Sequence, residues 1–95
     1  PIPLSAPYGL CTDVMEHIPT HDVPTVLNNI LASAQTVFFQ INTVPDNMGV
    51  LIGRPLHLTV RPHGWWRNWL EEVGAEIIWE RKDDNSSLFL VRSTA

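Results

Sequence analysis

The fold is first indicated by the segment GLCTDVMEHIP, at residues 9–19. Its first four residues are mostly apolar and predict a short buried strand over residues 9–12, which ends at Asp13. A polar turn containing Glu16 and His17 follows at once, so residues 13–21 are expected to form a loop over the strand end. Because α/β sheets bind their ligands at such strand ends, this turn is the first candidate site.

Apolar residues recur at helical spacing after this loop and predict a helix over residues 23–34, with Asp22 as its N-cap. Residues 36–44, TVFFQINTV, are rich in β-branched and aromatic side chains, which favours a strand. The run at residues 37–39 does not alternate in polarity, and this predicts a strand covered on both faces.

A long loop over residues 45–61 precedes a second helix, which can open at Pro62 and end at Gly74. Residues 75–80 and 88–91 predict the two strands of a closing β-hairpin. The order strand-helix-strand-helix-strand-strand predicts an α/β fold, and residues 1–95 are expected to form a single α/β unit.

The amino-acid composition indicates which class of partner the protein binds and in which cellular compartment it is located. The formal net charge of −4 argues against a general nucleic-acid or anionic-membrane surface and favours a small-molecule partner. The lone cysteine, Cys11, cannot form an internal disulfide, so we expect a reducing, cytoplasmic location. No apolar run approaches the ~20 residues that cross a bilayer. The chain begins with Pro1 rather than Met, and we therefore expect a longer parent or a processed start.

The densest polar cluster contains Asp13, Glu16 and His17, and its carboxylates and imidazole could converge on one divalent cation. His57, in the long loop after the next strand, is a candidate fourth ligand, and histidine favours zinc, manganese or iron over calcium. In the alternative interpretation, Asp13 or Glu16 caps a turn and His17 bonds to a backbone carbonyl.

Two further residues are candidates for contact with a substrate. Trp65 falls off the apolar stripe of the second helix, whereas Trp66 lies on that stripe and is expected in the core. Arg54 in the long loop could hold an anionic group. His21 and His63 match no partner pattern and are expected to be solvated.

The segment CTDVMEHIP at residues 11–19 resembles the fourth-strand segment of class I S-adenosylmethionine-dependent methyltransferases, where D-V-x-E-H-I is a frequent form. The downstream helices, the HLT triplet at residues 57–59 and the hairpin also fit that family's C-terminal half. The resemblance implies a partial Rossmann-like sheet with a C-terminal β-hairpin. It also implies S-adenosylmethionine as cofactor, with Cys11, Thr12 and Asp13 at its methionine end. Glu16 or His17 would be the catalytic base.

Some relatives of this kind bind a divalent metal through an acidic-x-x-Glu-His motif and a distant histidine. Carried over by position, the ligands here would be Asp13, Glu16, His17 and His57, although the first position is usually Glu. The family's glycine-rich cofactor loop would precede Pro1. Residues 9–12 would then form a bare apolar edge, to be covered by a missing N-terminal half or by a second copy.

The resemblance predicts a methyltransferase or a fragment of one, with an acceptor that the residues do not identify. Two alternatives come from other classes of protein. One is a non-catalytic, methyltransferase-like module that dimerises through its first strand, and the other is a small metal-dependent hydrolase using the same four ligands.

Overall fold

The computed structural model describes residues 6–45 and 57–93 of the chain. The described residues form four strands, two α-helices and two single-turn 3-10 helices. In chain order they are β1 (Ala6–Thr12), the 3-10 turns Met15–His17 and Thr20–Asp22, α1 (Val23–Ser33), β2 (Ala34–Asn42), α2 (His63–Glu72), β3 (Ala75–Lys82) and β4 (Ser86–Ser93).

The four strands form one sheet in the order β1-β2-β4-β3. β1 runs parallel to β2, whereas β4 runs antiparallel to both β2 and β3. The α/β class, the order of the elements and the C-terminal hairpin expected from the sequence are therefore confirmed.

The strands are longer than the apolar runs that predict them. β1 begins at Ala6 rather than at residue 9, and β2 follows α1 without a connecting loop. In the hairpin, Arg81 and Lys82 continue the ladder by pairing with Leu88 and Ser87. Polar residues join these strands because the backbone, not the side chain, makes the ladder hydrogen bonds. The loop predicted over residues 13–21 is confirmed as a connection, but it contains both 3-10 turns.

The core lies between the two helices and one face of the sheet. Val37, Phe39 and Ile41 alternate along β2 and are buried on this face, and Phe89 and Val91 of β4 lie directly opposite Phe39 and Val37. The buried helix residues that pack in the same cluster are Val23, Leu27 and Leu31 of α1 and Trp66 and Leu70 of α2.

The other face of the sheet differs from the expectation of a strand covered on both sides. Leu10, Phe38 and Leu90 are register partners across β1, β2 and β4 and so share this face. Phe38 is only half buried, and Leu10 is 82% exposed. Both described helices pack on the opposite face, so the described residues form two layers rather than three.

Within the described ranges, neither α-helix has the length and apolar character that crossing a membrane requires.

Candidate functional site

The chain turns sharply where β1 ends. Asp13 adopts a left-handed backbone conformation with a φ of 56°, and its N–H donates to the carbonyl oxygen of Gln40 at 3.1 Å. The following 3-10 turn is closed by the N–H of His17, which donates to the carbonyl oxygen of Val14 at 3.0 Å. Because Met15 is buried in the core, the turn is held against the sheet beside the end of β2.

Glu16 is a buried carboxylate at this sheet edge, with 1% of its surface exposed. Its Oε1 accepts a hydrogen bond from the backbone N–H of Asn42 at 3.2 Å. Its Oε2 lies 3.8 Å from Nε2 of His17, whose side chain is 42% exposed. A buried carboxylate is costly without compensating partners, so this position favours a cationic group or a metal ion beside the carboxylate.

His57 approaches the same carboxylate from the loop that precedes α2. Its Nδ1 lies 2.8 Å from the carbonyl oxygen of Val44, and because a carbonyl only accepts, Nδ1 carries the hydrogen. In the neutral ring, the lone pair is then on Nε2. The His57 and His17 rings meet edge to face, with centroids 4.9 Å apart and an angle of 77° between their planes.

Glu16, His17 and His57 therefore form one cluster, in which one ligand atom from each residue lies within 4.8 Å of the others. One carboxylate and two imidazoles could hold a divalent transition metal. The bond from His57 to a backbone carbonyl is the kind of outer contact that orients metal-binding histidines. Of the four ligands considered from the sequence, three come together, and Asp13 lies outside this group.

Thr59 joins this site although sequence reasoning did not single it out. It is buried, with 1% of its surface exposed, and its N–H donates to the carbonyl oxygen of Glu16 at 3.0 Å. The signal available in the sequence is its position two residues after His57 in the HLT triplet, but its partners Glu16, Ile18 and Thr20 lie 39 to 43 residues earlier.

The three residues considered for cofactor binding end β1 and begin the turn. Cys11 is a buried member of the core, and burial raises the pKa of its thiol to about 11, with a further contribution from the negative charge of Glu16. Thr12 and Asp13 are exposed. At this strand end the side chains of Thr12 and Asp13 are therefore accessible to solvent, whereas the thiol of Cys11 is turned into the core.

Trp65 is half buried on α2, and its ring contacts both neighbouring tryptophans edge to face. The guanidinium carbon of Arg61 lies 5.7 Å from the centre of this ring. An open groove of about 360 Å³ is lined by Trp65, Asn68, Trp69 and Glu72. Trp66 is fully buried, as its place on the apolar stripe predicts. Arg54 lies outside the described residues.

The expectation of a solvated His63 is wrong. Its side chain is 12% exposed and its ring stacks on Phe89 with centroids 4.6 Å apart. Nδ1 of His63 lies 2.9 Å from the hydroxyl of Ser87, and Nε2 lies 3.5 Å from a carboxylate oxygen of Glu80. His21 is solvated as expected, with 83% of its side chain exposed.

No protein-family description matches this sequence, and no curated protein matches it. Solved structures do match the fold. An O-methyltransferase family protein from Burkholderia thailandensis superposes with a TM-score of 0.71 at 12% identity, over 96% of this chain and 31% of that chain. The N-terminal domain of EvdMO1, solved with SAH bound, gives a TM-score of 0.54 at 14% identity, over 90% of this chain and 45% of that chain.

The chain thus spans less than half the length of either structural neighbour. Its sheet order, its hairpin and these superpositions agree with the resemblance noted in residues 11–19. The chain has a class I S-adenosylmethionine-dependent methyltransferase-like fold.

Proposed function

We propose that this chain is an S-adenosylmethionine-dependent methyltransferase, or a part of one, that acts on a small-molecule acceptor. The observation that carries the proposal is the cluster of Glu16, His17 and His57 at the carboxyl end of β1 and beside β2, where sheets of this kind bind ligands. The SAH bound to the EvdMO1 domain supports the choice of cofactor. The net charge of −4 favours a small acceptor over a nucleic acid.

Methyl transfer is an in-line displacement. The acceptor nucleophile bonds to the methyl carbon, the carbon–sulfur bond breaks, and its electron pair stays on sulfur, which becomes the neutral thioether of SAH. The acceptor loses a proton, and a positioned base accelerates this loss. His17 is half exposed and within 3.8 Å of the Glu16 carboxylate, so it can take the proton while Glu16 stabilises the imidazolium.

The same cluster fits a divalent metal, which Glu16, His17 and His57 would hold. A bound metal would act as a Lewis acid that lowers the pKa of an acceptor hydroxyl. Without metal, Glu16 and His17 form the acid–base pair. Chelation by EDTA distinguishes the metal-dependent mechanism from the one that uses only Glu16 and His17, because metal-dependent methyl transfer stops when the ion is removed.

Thr12 and Asp13 would contact the methionine end of the cofactor, since their exposed side chains lie at the strand end next to the cluster. Trp65 and Arg54 are the residues that we propose for the acceptor. Trp65 supplies an aromatic wall to an open groove, whereas Arg54 is proposed from its residue type and its place in the sequence, within the loop predicted over residues 45–61.

The test uses protein expressed from the complete reading frame that contains these residues. Calorimetry should detect binding of S-adenosylmethionine and SAH, and radiolabelled methyl should transfer to one member of a panel of phenols, carboxylic acids and amines. His17→Ala removes the residue proposed to take the proton and should lower this transfer by about 10²–10⁴-fold, the usual contribution of acid–base catalysis. His21→Ala, at a histidine that is 83% exposed, is the matched control and should transfer methyl normally. Failure to bind either cofactor form would exclude the proposed function.

One observation favours a second candidate, the non-catalytic module that dimerises through β1. Tyr8 and Leu10 of β1 are 78% and 82% exposed, and β1 carries no charged residue. Such an edge can pair with another strand. A defined dimer of this chain in solution, together with no cofactor binding by the full protein, would favour this candidate over the methyltransferase.

A further inference from the structure

Thr59 bonds the loop that carries His57 to the turn that carries Glu16 and His17. Its backbone N–H donates to the carbonyl oxygen of Glu16 at 3.0 Å. Its hydroxyl donates to the carbonyl oxygen of Ile18 at 2.5 Å. The hydroxyl of Thr20 lies 2.9 Å from the Thr59 hydroxyl, and the two segments are 39 residues apart along the chain.

The direction of these bonds follows from the number of hydrogens. A carbonyl can only accept, so the single hydroxyl hydrogen of Thr59 goes to Ile18. Thr20 must then be the donor in the contact between the two hydroxyls. The hydroxyl of Thr59 thus both donates and accepts. Its removal would take one hydrogen-bond partner from the partly buried carbonyl of Ile18 and one from the hydroxyl of Thr20.

These bonds bear directly on the position of His57. This residue lies two positions before Thr59, and its ring is bonded at Nδ1 to the carbonyl oxygen of Val44. The loop is therefore attached to the 3-10 turn through Thr59 and to the end of β2 through the ring. Both attachments bear on where Nε2 of His57 lies relative to Glu16 and His17, because the bond at Nδ1 orients the ring and the bonds of Thr59 place the segment that carries it.

We propose that Thr59 is a positioning residue for the cluster of Glu16, His17 and His57. Its N–H and hydroxyl lock the His57 loop onto the Glu16 turn and so set the edge-to-face contact of the two imidazoles at 4.9 Å. The predicted effect on metal affinity rests on the proposed function. The predicted effect on the contact between the His17 and His57 rings does not, because this contact exists without a metal.

The experiment compares Thr59→Val, which keeps the shape and loses the hydroxyl, with Thr59→Ser, which keeps the hydroxyl. The first measurement is the nuclear Overhauser effect between the ring protons of His17 and His57 in metal-free protein. It should be present in the wild type and in Thr59→Ser and be lost or several-fold weaker in Thr59→Val. Thr36→Val, at a half-buried strand threonine, is the matched control and should keep the wild-type effect.

The second measurement is a Co²⁺ titration followed by visible absorption. Thr59→Val should weaken Co²⁺ affinity by about 10–100-fold, as loss of an outer contact usually does. If the wild type binds no Co²⁺, the metal part of the proposed function is wrong, and the ring contact still decides the role of Thr59. An unchanged ring contact in Thr59→Val would overturn the proposal.

Should circular dichroism show that Thr59→Val is unfolded, Thr20→Val provides the decision. This variant removes the hydrogen bond that Thr20 donates to Thr59, which is one of the bonds between the two segments. The Overhauser effect should therefore weaken, though by less than in a protein without the Thr59 hydroxyl. A Thr20→Val protein with the wild-type ring contact and wild-type Co²⁺ affinity would then overturn the proposal.

Discussion

Glu16 shows how a charged residue becomes part of this interior. Its neighbour Met15 fills the core, and the 3-10 turn places the carboxylate against the end of β2, where the backbone N–H of Asn42 donates to it. His17 on the next position stays half in solvent. Adjacent residues of one turn therefore have three different environments: Met15 packs in the core, the Glu16 carboxylate is buried beside β2, and the His17 imidazole is partly exposed to solvent.

Cys11 gives a prediction at the residue scale. Burial and the nearby charge of Glu16 raise the pKa of its thiol from 9.0 to about 11. At pH 8 the folded protein should therefore contain about a hundredfold less thiolate than the unfolded chain, and iodoacetamide should react correspondingly more slowly. Mass spectrometry of alkylation with and without urea measures the ratio. Equal rates in both conditions would show that the thiol is not buried.

The same shift predicts the pH dependence of stability. Between pH 9 and about 11 the unfolded chain loses the thiol proton, whereas the folded protein retains it. Unfolding then releases a proton, so the free energy of unfolding falls as the pH rises through this window and is unaffected by Cys11 below it. The Cys11→Ala variant should lack this component in urea titrations.

At the scale of elements, α2 is fastened to the hairpin by polar groups as well as by Trp66 and Leu70. His63 stacks on Phe89 and bonds to Ser87, while the guanidinium of Arg67 donates to Glu80 at 2.9 Å. The carboxylate of Glu80 raises the pKa of Arg67, mainly through this hydrogen bond. These contacts join the start of the helix to both strands that follow it.

The two described glycines of this region predict opposite effects of one substitution. Gly74 ends α2 with a φ of 89°, a conformation that strains other residues, so Gly74→Ala should destabilise the protein by about 1 kcal/mol. Gly64 lies within α2, and a methyl group there would meet nothing within 4 Å. Gly64→Ala should therefore stabilise the protein by about 0.5–1 kcal/mol. Urea unfolding of both variants checks the signs, and two changes of the same sign would contradict this account.

At the scale of the whole molecule, the sheet is packed on one side only within the described residues. Both helices cover the face that bears Phe39 and Phe89, whereas Leu10, Phe38 and Leu90 lie on the other face. A groove of about 500 Å³ runs along this second face beside β1. An apolar edge strand next to an apolar groove is a site of self-association unless something covers it.

We therefore expect this 95-residue chain to self-associate in isolation, and Leu10→Lys to suppress the association. Leu10 is 82% exposed, so the substitution should change the free energy of unfolding by less than about 0.5 kcal/mol. Light scattering across protein concentration is the measurement. Ala32→Lys adds the same charge at an exposed position of α1 and should not suppress association. A wild-type chain that remains monomeric throughout would contradict the prediction.

The class of fold and the order of its elements could be predicted from the sequence because they depend on local patterns. The apolar stripe of α1, the β-branched run of β2 and the glycine after α2 each act within a few residues. The strand boundaries could not be predicted in this way. Ala6, Arg81 and Lys82 enter the sheet because a neighbouring strand offers backbone partners, and side-chain pattern does not reveal those partners.

The candidate site also has a part that could be predicted from local sequence and a part that could not. Local sequence patterns were enough to predict that Asp13, Glu16 and His17 follow a strand and that His57 lies in the loop after the next one. The folded chain was needed to show that His57 joins Glu16 and His17 while Asp13 stays outside, that Thr59 bonds the two segments together, and that His63 is packed on Phe89. Each of these contacts joins residues more than 20 positions apart, so their distances depend on how the sheet and helices pack rather than on the pattern around any one residue.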